Sequence, residues 1–209
     1  MPNWCSNHIT VRGTDPAEIQ RLADAFSRGE FCDAVVPVPE ILKNPETTTN
    51  YGDPEKQAAA DRIRAEAVAA TGYQSWYDFC TSNWGTKWDI GEEGAGEISV
   101  DGLEFSGGFE SAWAPPMGVA EALVQQGFNV VLYYYEPGMA FVGKYEDGCD
   151  ECYELGGETS KTVRAAIGDE LDDFFGISEQ MAEYEAENEE ELTQWIRDGA
   201  EKTAELKTL

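Results

Sequence analysis

Positive charge is scarce in this sequence: 14 lysines and arginines stand against 41 aspartates and glutamates in 209 residues, a formal net charge of -27. A surface of that sign repels a phosphate backbone, so direct binding of DNA, RNA or an anionic membrane is disfavoured and the matching partners are cationic. Histidine is nearly absent. With His8 alone, a histidine pair, a histidine metal triad or an imidazole shuttle has nothing to be built from, and a packed or surface place on a strand is its default. No apolar run approaches the roughly 18 residues of a membrane span, and the opening MPNWCSNHITVRG has neither the basic nor the apolar part of a signal peptide, so a cytoplasmic protein is expected. The five cysteines (Cys5, Cys32, Cys80, Cys149, Cys152) are odd in number and scattered, which points to reduced thiols rather than a disulfide framework. Calcium-loop, P-loop and G-x-S-x-G patterns are missing. No catalytic residue, metal ligand or cofactor is therefore assigned.

What is present is enough for a folded body. An apolar share of 42% and an aromatic share of 11%, with six Trp, separate the chain from a disordered acidic tail, and its length suits one core with an appended subdomain. Asn7 to Arg12 alternates like a strand. Asp15, Pro16 and Glu18 then open a helix whose stripe is Ile19, Leu22, Ala23 and Phe26, closing near Gly29. Phe31 to Val36 is apolar and β-branched enough for a second strand, giving a βαβ opening. Prolines 37, 39, 45 and 54 mark an insertion over 37–83, with an alanine-rich helix from Asp53 to about Ala70 and a short aromatic helix from Ser75 to Cys80.

From Lys87 the period becomes two, through Trp88, Ile90, Ile98, Val100, Leu103 and Phe105, with glycines as turn signals. Pro115 and Pro116 open a helix that stops at Gly127. Asn129 to Tyr135 and Met139 to Tyr145 make a hairpin about Glu136-Pro137-Gly138. The order predicts an α+β sandwich, a mainly antiparallel sheet with helices on one face, spanning 1–158. Residues 159–209 read as an acidic helical region: Ser160 caps a helix with the stripe Val163, Ile167, Leu171 and Phe174, and Ser178 caps a further helix or helix pair carrying Met181, Tyr184, Leu192, Trp195 and Ile196. Between Glu146 and Leu209 there are 20 acids and 5 bases, so -15 of the charge lies in the final 64 residues.

Three separated segments, MPNWCSN at the start, NWGTKWD at Asn83 to Asp89, and FESAWAPP followed by YYYEPGMAFVGKYEDG between Phe109 and Gly148, resemble the YubB type of phage and plasmid protein. That resemblance implies a ferredoxin-like domain over about 1–150 and an origin in a mobile genetic element. It implies no iron-sulfur cluster and no catalytic residues.

The remaining motifs have competing readings. Cys149-Asp150-Glu151-Cys152 has metal or redox spacing, but no second C-x-x-C or H-x3-H completes a zinc set, and a loop at the hairpin end is the simpler account. In NWGTKWD, Trp84, Lys87 and Trp88, together with Trp113, form an alternative pocket between the insertion and the sheet; the competing account is packing, with Lys87 paired to Asp89 or a neighbouring acid. In the tail Glu179, Glu183 and Glu187 recur every fourth residue, placing like charges side by side on one helix face at a cost of a few tenths of a kcal/mol per pair. That row has about half the charge density of a DNA strand. Glu170 and Asp173, with Glu189, Glu190 and Glu191, are the candidates for a second row.

Three functions follow. The first is a non-enzymatic acidic interaction protein, a DNA mimic seated in the basic cleft of a host nucleic-acid-binding or defence protein, with no direct contact to nucleic acid or membrane. The second is a small-molecule-binding or catalytic domain with its site at the Trp84–Lys87 pocket. The third is a structural or self-associating domain. Salt adaptation and simple solvation also account for acidity.

Overall fold

The computed structural model describes residues 3–47, 49, 52–91 and 96–206, with the side chains of 192, 193 and 196–206 outside the description. The chain divides into two compact units, 1–152 and 153–209, with the division inside the last strand.

In the first unit, strand β1 (Trp4–Arg12) buries Cys5, Asn7, Ile9 and Val11 on one face, the period of two that the sequence predicts. It is flanked by β3 (Glu104–Ala112) and β4 (Asn129–Glu136), both antiparallel to it; β2 (Gly96–Ile98) extends the sheet beyond β3, and β5 (Phe141–Glu146) and β6 (Cys149–Glu154) extend it beyond β4. The order β2-β3-β1-β4 is that of the split β-α-β ferredoxin-like arrangement. Helix α1 (Pro16–Ser27) packs on β2 and β3, and α5 (Met117–Gln125) on β4. The architecture is thus the expected α+β sandwich, with the crossover helices against the sheet.

The helix starts follow their caps. Asp15 accepts the amide of Ala17 at 2.9 Å and Pro16 sits in the first turn, so donors orphaned at a helix start are either satisfied or absent. Asp53 does the same for α3 (Pro54–Thr71), and Ser75 for α4 (Trp76–Asn83). The core centres on Phe26, whose ring lies 5.6 Å from Phe31, 5.1 Å from Phe105 and 5.9 Å from Phe109, edge-on in each case.

Several expectations need correction. Phe31 to Val36 is not a strand but the short helix α2 (Phe31–Val35), so the opening is β-α-α. The Asp89 carboxylate accepts the amides of Cys32 at 2.6 Å and Asp33 at 3.0 Å, capping the helix from 56 and 57 residues away, while Phe31, Cys32 and Val35 go into the core. Trp88 and Ile90 lie outside any strand. Val100 is fully exposed past the end of β2. Cys149 and Cys152 stand on β6 rather than in a loop.

The second unit holds α6 (Val163–Ile167), α7 (Asp169–Phe175) and α8 (Ile177–Leu206). The single helix expected from Ser160 is broken at Gly168, whose φ of 86° and ψ of 164° belong to a region essentially confined to glycine. Thr162, not Ser160, occupies the N-cap position of α6. Ser178 does not cap α8: it donates its amide and its hydroxyl, each at 2.7 Å, to the buried Asp172.

Candidate functional site

The first unit gathers exposed aromatic rings around one lysine. Trp84 ends α4 and is buried, its indole Nε1 donating to the Val36 carbonyl at 2.8 Å. The chain then turns at Gly85, whose φ of +88° and 3.0 Å clearance between a built Cβ and the Pro115 carbonyl leave little room for another residue. Thr86 follows. Its hydroxyl accepts the Ala112 amide at 3.1 Å and donates to the Ala112 carbonyl at 3.2 Å, tying the segment to the end of β3.

These ties set Lys87 among three rings. Its Nζ lies 4.4 Å from the centre of the Trp88 ring, 5.7 Å from Tyr77 and 5.8 Å from Trp113, and at exposed sites such contacts contribute about 0.5–1 kcal/mol each. Trp113 is held at φ 67°, which is unusual for a bulky residue, with its amide on the Asn3 carbonyl at 2.9 Å. Trp4 adds a fourth ring, 6.0 Å from Trp88. Trp4, Tyr77, Trp88 and Trp113 are 48, 39, 40 and 43% exposed. Among the described residues no carboxylate reaches ion-pair distance of Lys87.

The pairing expected between Lys87 and Asp89 is not formed. Asp89 is occupied by the amides of Cys32, Asp33 and Ile90, and burial raises its carboxyl above the usual range although those three bonds pull it down. Two concavities adjoin the cluster. One, of about 380 Å³, is lined by apolar Val38, Trp76, Cys80 and Trp84 and by Lys87. The other, about 930 Å³, runs between Trp4, Trp88 and the edge of β3. Its polar side chains bond to one another or to backbone: Asn7 to the Cys5 carbonyl at 2.6 Å and Ser111 at 2.8 Å, Ser6 to Glu110 at 2.5 Å, and Ser111 to the Ala114 carbonyl at 2.7 Å.

Nucleophiles are poorly served here. The Cys80 thiol beside the smaller concavity is pushed up to about 12, first by burial and then by Asp89 and Asp33, so it stays protonated at neutral pH. Cys5 rises to about 12 for the same leading reason. Cys149 and Cys152 are both exposed, and residues three apart on a strand point to opposite faces, so this pair cannot close on one metal ion. His8 stands on β1 opposite Gly108 and Tyr133.

In the second unit every acid singled out from sequence is exposed: Glu170 and Asp173 on α7, and Glu179, Glu183, Glu187, Glu189, Glu190 and Glu191 on α8. Asp173 is engaged by Arg164 at 2.7 Å, an arginine that also holds Asp169 at 2.7 Å and Asp172 at 3.1 Å. Glu185 binds the Ser160 amide at 2.8 Å and hydroxyl at 2.7 Å. Glu179, Glu183 and Glu187 lie on one face of a single continuous helix.

Of the four residues of the alternative pocket, Lys87, Trp88 and Trp113 converge, whereas Trp84 packs in the core beneath them. Trp4 and Tyr77 were not foreseen. Trp4 arrives through register, opposite Ala112 and hence beside Trp113, and Tyr77 through the first turn of α4.

No family model matches the chain, and a search of curated proteins finds no match. Among solved structures it is similar to the crystal structure of protein api92 from Yersinia pseudotuberculosis, of family model DUF1281, with a TM-score of 0.41 and 10% identity, covering 75% of this chain and 95% of that one.

Proposed function

We propose that this protein is a non-enzymatic acidic interaction protein whose α8 face meets a basic surface of a host nucleic-acid-binding or defence protein, in the manner of a DNA mimic. The observation that carries the proposal is the row Glu179, Glu183 and Glu187, exposed along one face of a continuous helix and without ion pairs among the described residues. Like charges at that spacing oppose helix stability, so their retention is explained by what they meet outside. The sequence resemblance to YubB-type proteins supports a mobile-element origin and action in the host cytoplasm.

The test is affinity capture on the immobilised protein with elution by a salt gradient, followed by competition of the captured host protein with duplex DNA. Elution at moderate salt, displacement by DNA, and at least tenfold weaker capture by the triple variant E183Q/E187Q/E190Q are expected, since exposed pairs are screened over about 8 Å at physiological ionic strength. Unchanged capture by that variant removes α8 from the mechanism.

A second reading, a small-molecule site at the Trp84–Lys87–Trp88 concavity, is favoured by one observation: Lys87 has ring faces around it and, among the described residues, no carboxylate in reach.

A further inference from the structure

The second reading leaves the ligand open, and the charges around the concavity narrow it. Three carboxylates border it, Glu30, Asp33 and Asp89. Each is already engaged: Glu30 by Arg28 at 2.8 Å, Asp33 by Lys43 at 3.0 Å and the Val38 amide at 2.7 Å, and Asp89 by its three backbone amides. Lys43, the other lysine on its rim, is engaged by Asp33. Among the described residues, Lys87 is the lining cation that meets π faces and no carboxylate. Those faces are turned to Nζ, and the ring edges that remain carry the positive end of the aromatic quadrupole. In a chain of net charge -27 Lys87 thus sets one cation beside an apolar hollow whose bordering carboxylates are already engaged.

We infer that the concavity of about 380 Å³ beside Lys87 binds a small apolar monocarboxylate, its carboxylate on the Lys87 ammonium and its hydrocarbon or aromatic body against Trp76, Trp84 and Val38. This rests on the second reading above and goes beyond it by naming the ligand class. The volume lies within the small-ligand range of about 300–1,000 Å³. The field of the whole molecule favours a ligand with one negative charge over one with several. Distant carboxylates are screened over about 8 Å at physiological salt, so one charge at contact with Lys87 is held locally, whereas a polyphosphate would extend its other charges into the repelling surface. The site is built in advance: Gly85, the Thr86–Ala112 pair and the Trp84–Val36 bond hold the lining segment in place, so little ordering remains to oppose binding.

The experiment uses the full chain in 0.15 M salt, with phenylacetate, indole-3-acetate and hexanoate as probes, phenylacetamide and phenethylamine as neutral and cationic counterparts, and ATP as polyanion. Isothermal titration calorimetry and thermal shift read binding. The carboxylates are expected to bind and raise Tm, with phenylacetate at least tenfold tighter than phenylacetamide and with no binding of phenethylamine or ATP. Lys87→Met should lower phenylacetate affinity at least tenfold, and Lys87→Arg, which keeps the charge, should restore most of it; circular dichroism checks that both variants are folded. If the amide or the amine binds as well as the acid, and Trp84→Phe or Val38→Ala weakens that binding, the pocket stands and the carboxylate assignment falls. If no probe binds, or if Lys87→Met and Lys87→Arg are both folded and bind phenylacetate like the wild type, the inference is overturned; with no probe bound, the pocket falls with it.

Discussion

At the scale of single residues, charge is handled by pairing or by exposure. Asp172 is the instructive carboxylate: it is 1% exposed and receives Arg164 together with the amide and hydroxyl of Ser178, the kind of compensation that a buried charge requires. His8 shows the opposite response. Burial lowers its pKa from the ordinary value, so the native protein takes up this proton later than the unfolded chain does. Its contribution to stability is therefore present above about pH 6.5, the unfolded value, and is lost as pH falls through the lowered native one. An NMR titration of the single imidazole should give a midpoint below 6.5, and the His8→Gln variant should show a shallower loss of stability between pH 7 and 5 in urea melts. A midpoint above 6.5 would contradict the burial account.

At the scale of elements, local sequence was informative wherever the decisive contact was itself local. Asp15 and Asp53 cap the helices that follow them, and Glu136 accepts the amides of Gly138 and Met139 within its own turn, so α1, α3 and the β4–β5 hairpin could be read directly. Phe31 to Val36 could not. Its apolar, β-branched composition suits a strand, and what makes it helical is a carboxylate at Asp89 that only the fold brings near. The aromatic cluster was half legible for the same reason: Lys87 and Trp88 are sequence neighbours, but Trp4 joins them through strand register. Gly168 was legible only as a glycine, because its role depends on a backbone conformation rather than on its neighbours. Gly168→Ala should destabilise the protein by about 1–3 kcal/mol, and thermal denaturation of the variant would measure it. A neutral outcome would mean that α6 and α7 can fuse into the continuous helix that the apolar stripe suggests.

At the scale of the whole molecule, two surfaces of different character stand out, each described within its own unit: an exposed carboxylate row on α8, and a ring-lined lysine where the insertion meets β3. The acid at the first creates a field of one sign that attracts cations and repels anions. The rings at the second, Trp4, Tyr77, Trp88 and Trp113, come from separate segments of the chain and are 39–48% exposed. Substitution at Glu183 that weakens the proposed capture of a basic partner should leave phenylacetate binding unchanged in calorimetry, because the two surfaces share no residue.

The placement of Cys149 and Cys152 on β6 carries a last consequence. Two exposed thiols aimed from opposite faces of one strand cannot join each other without breaking it, yet each is open to a thiol on another molecule. Air oxidation should therefore concatenate the protein into a ladder of dimers, trimers and longer covalent oligomers on a non-reducing gel. Replacing either cysteine by serine should cap that growth at the dimer.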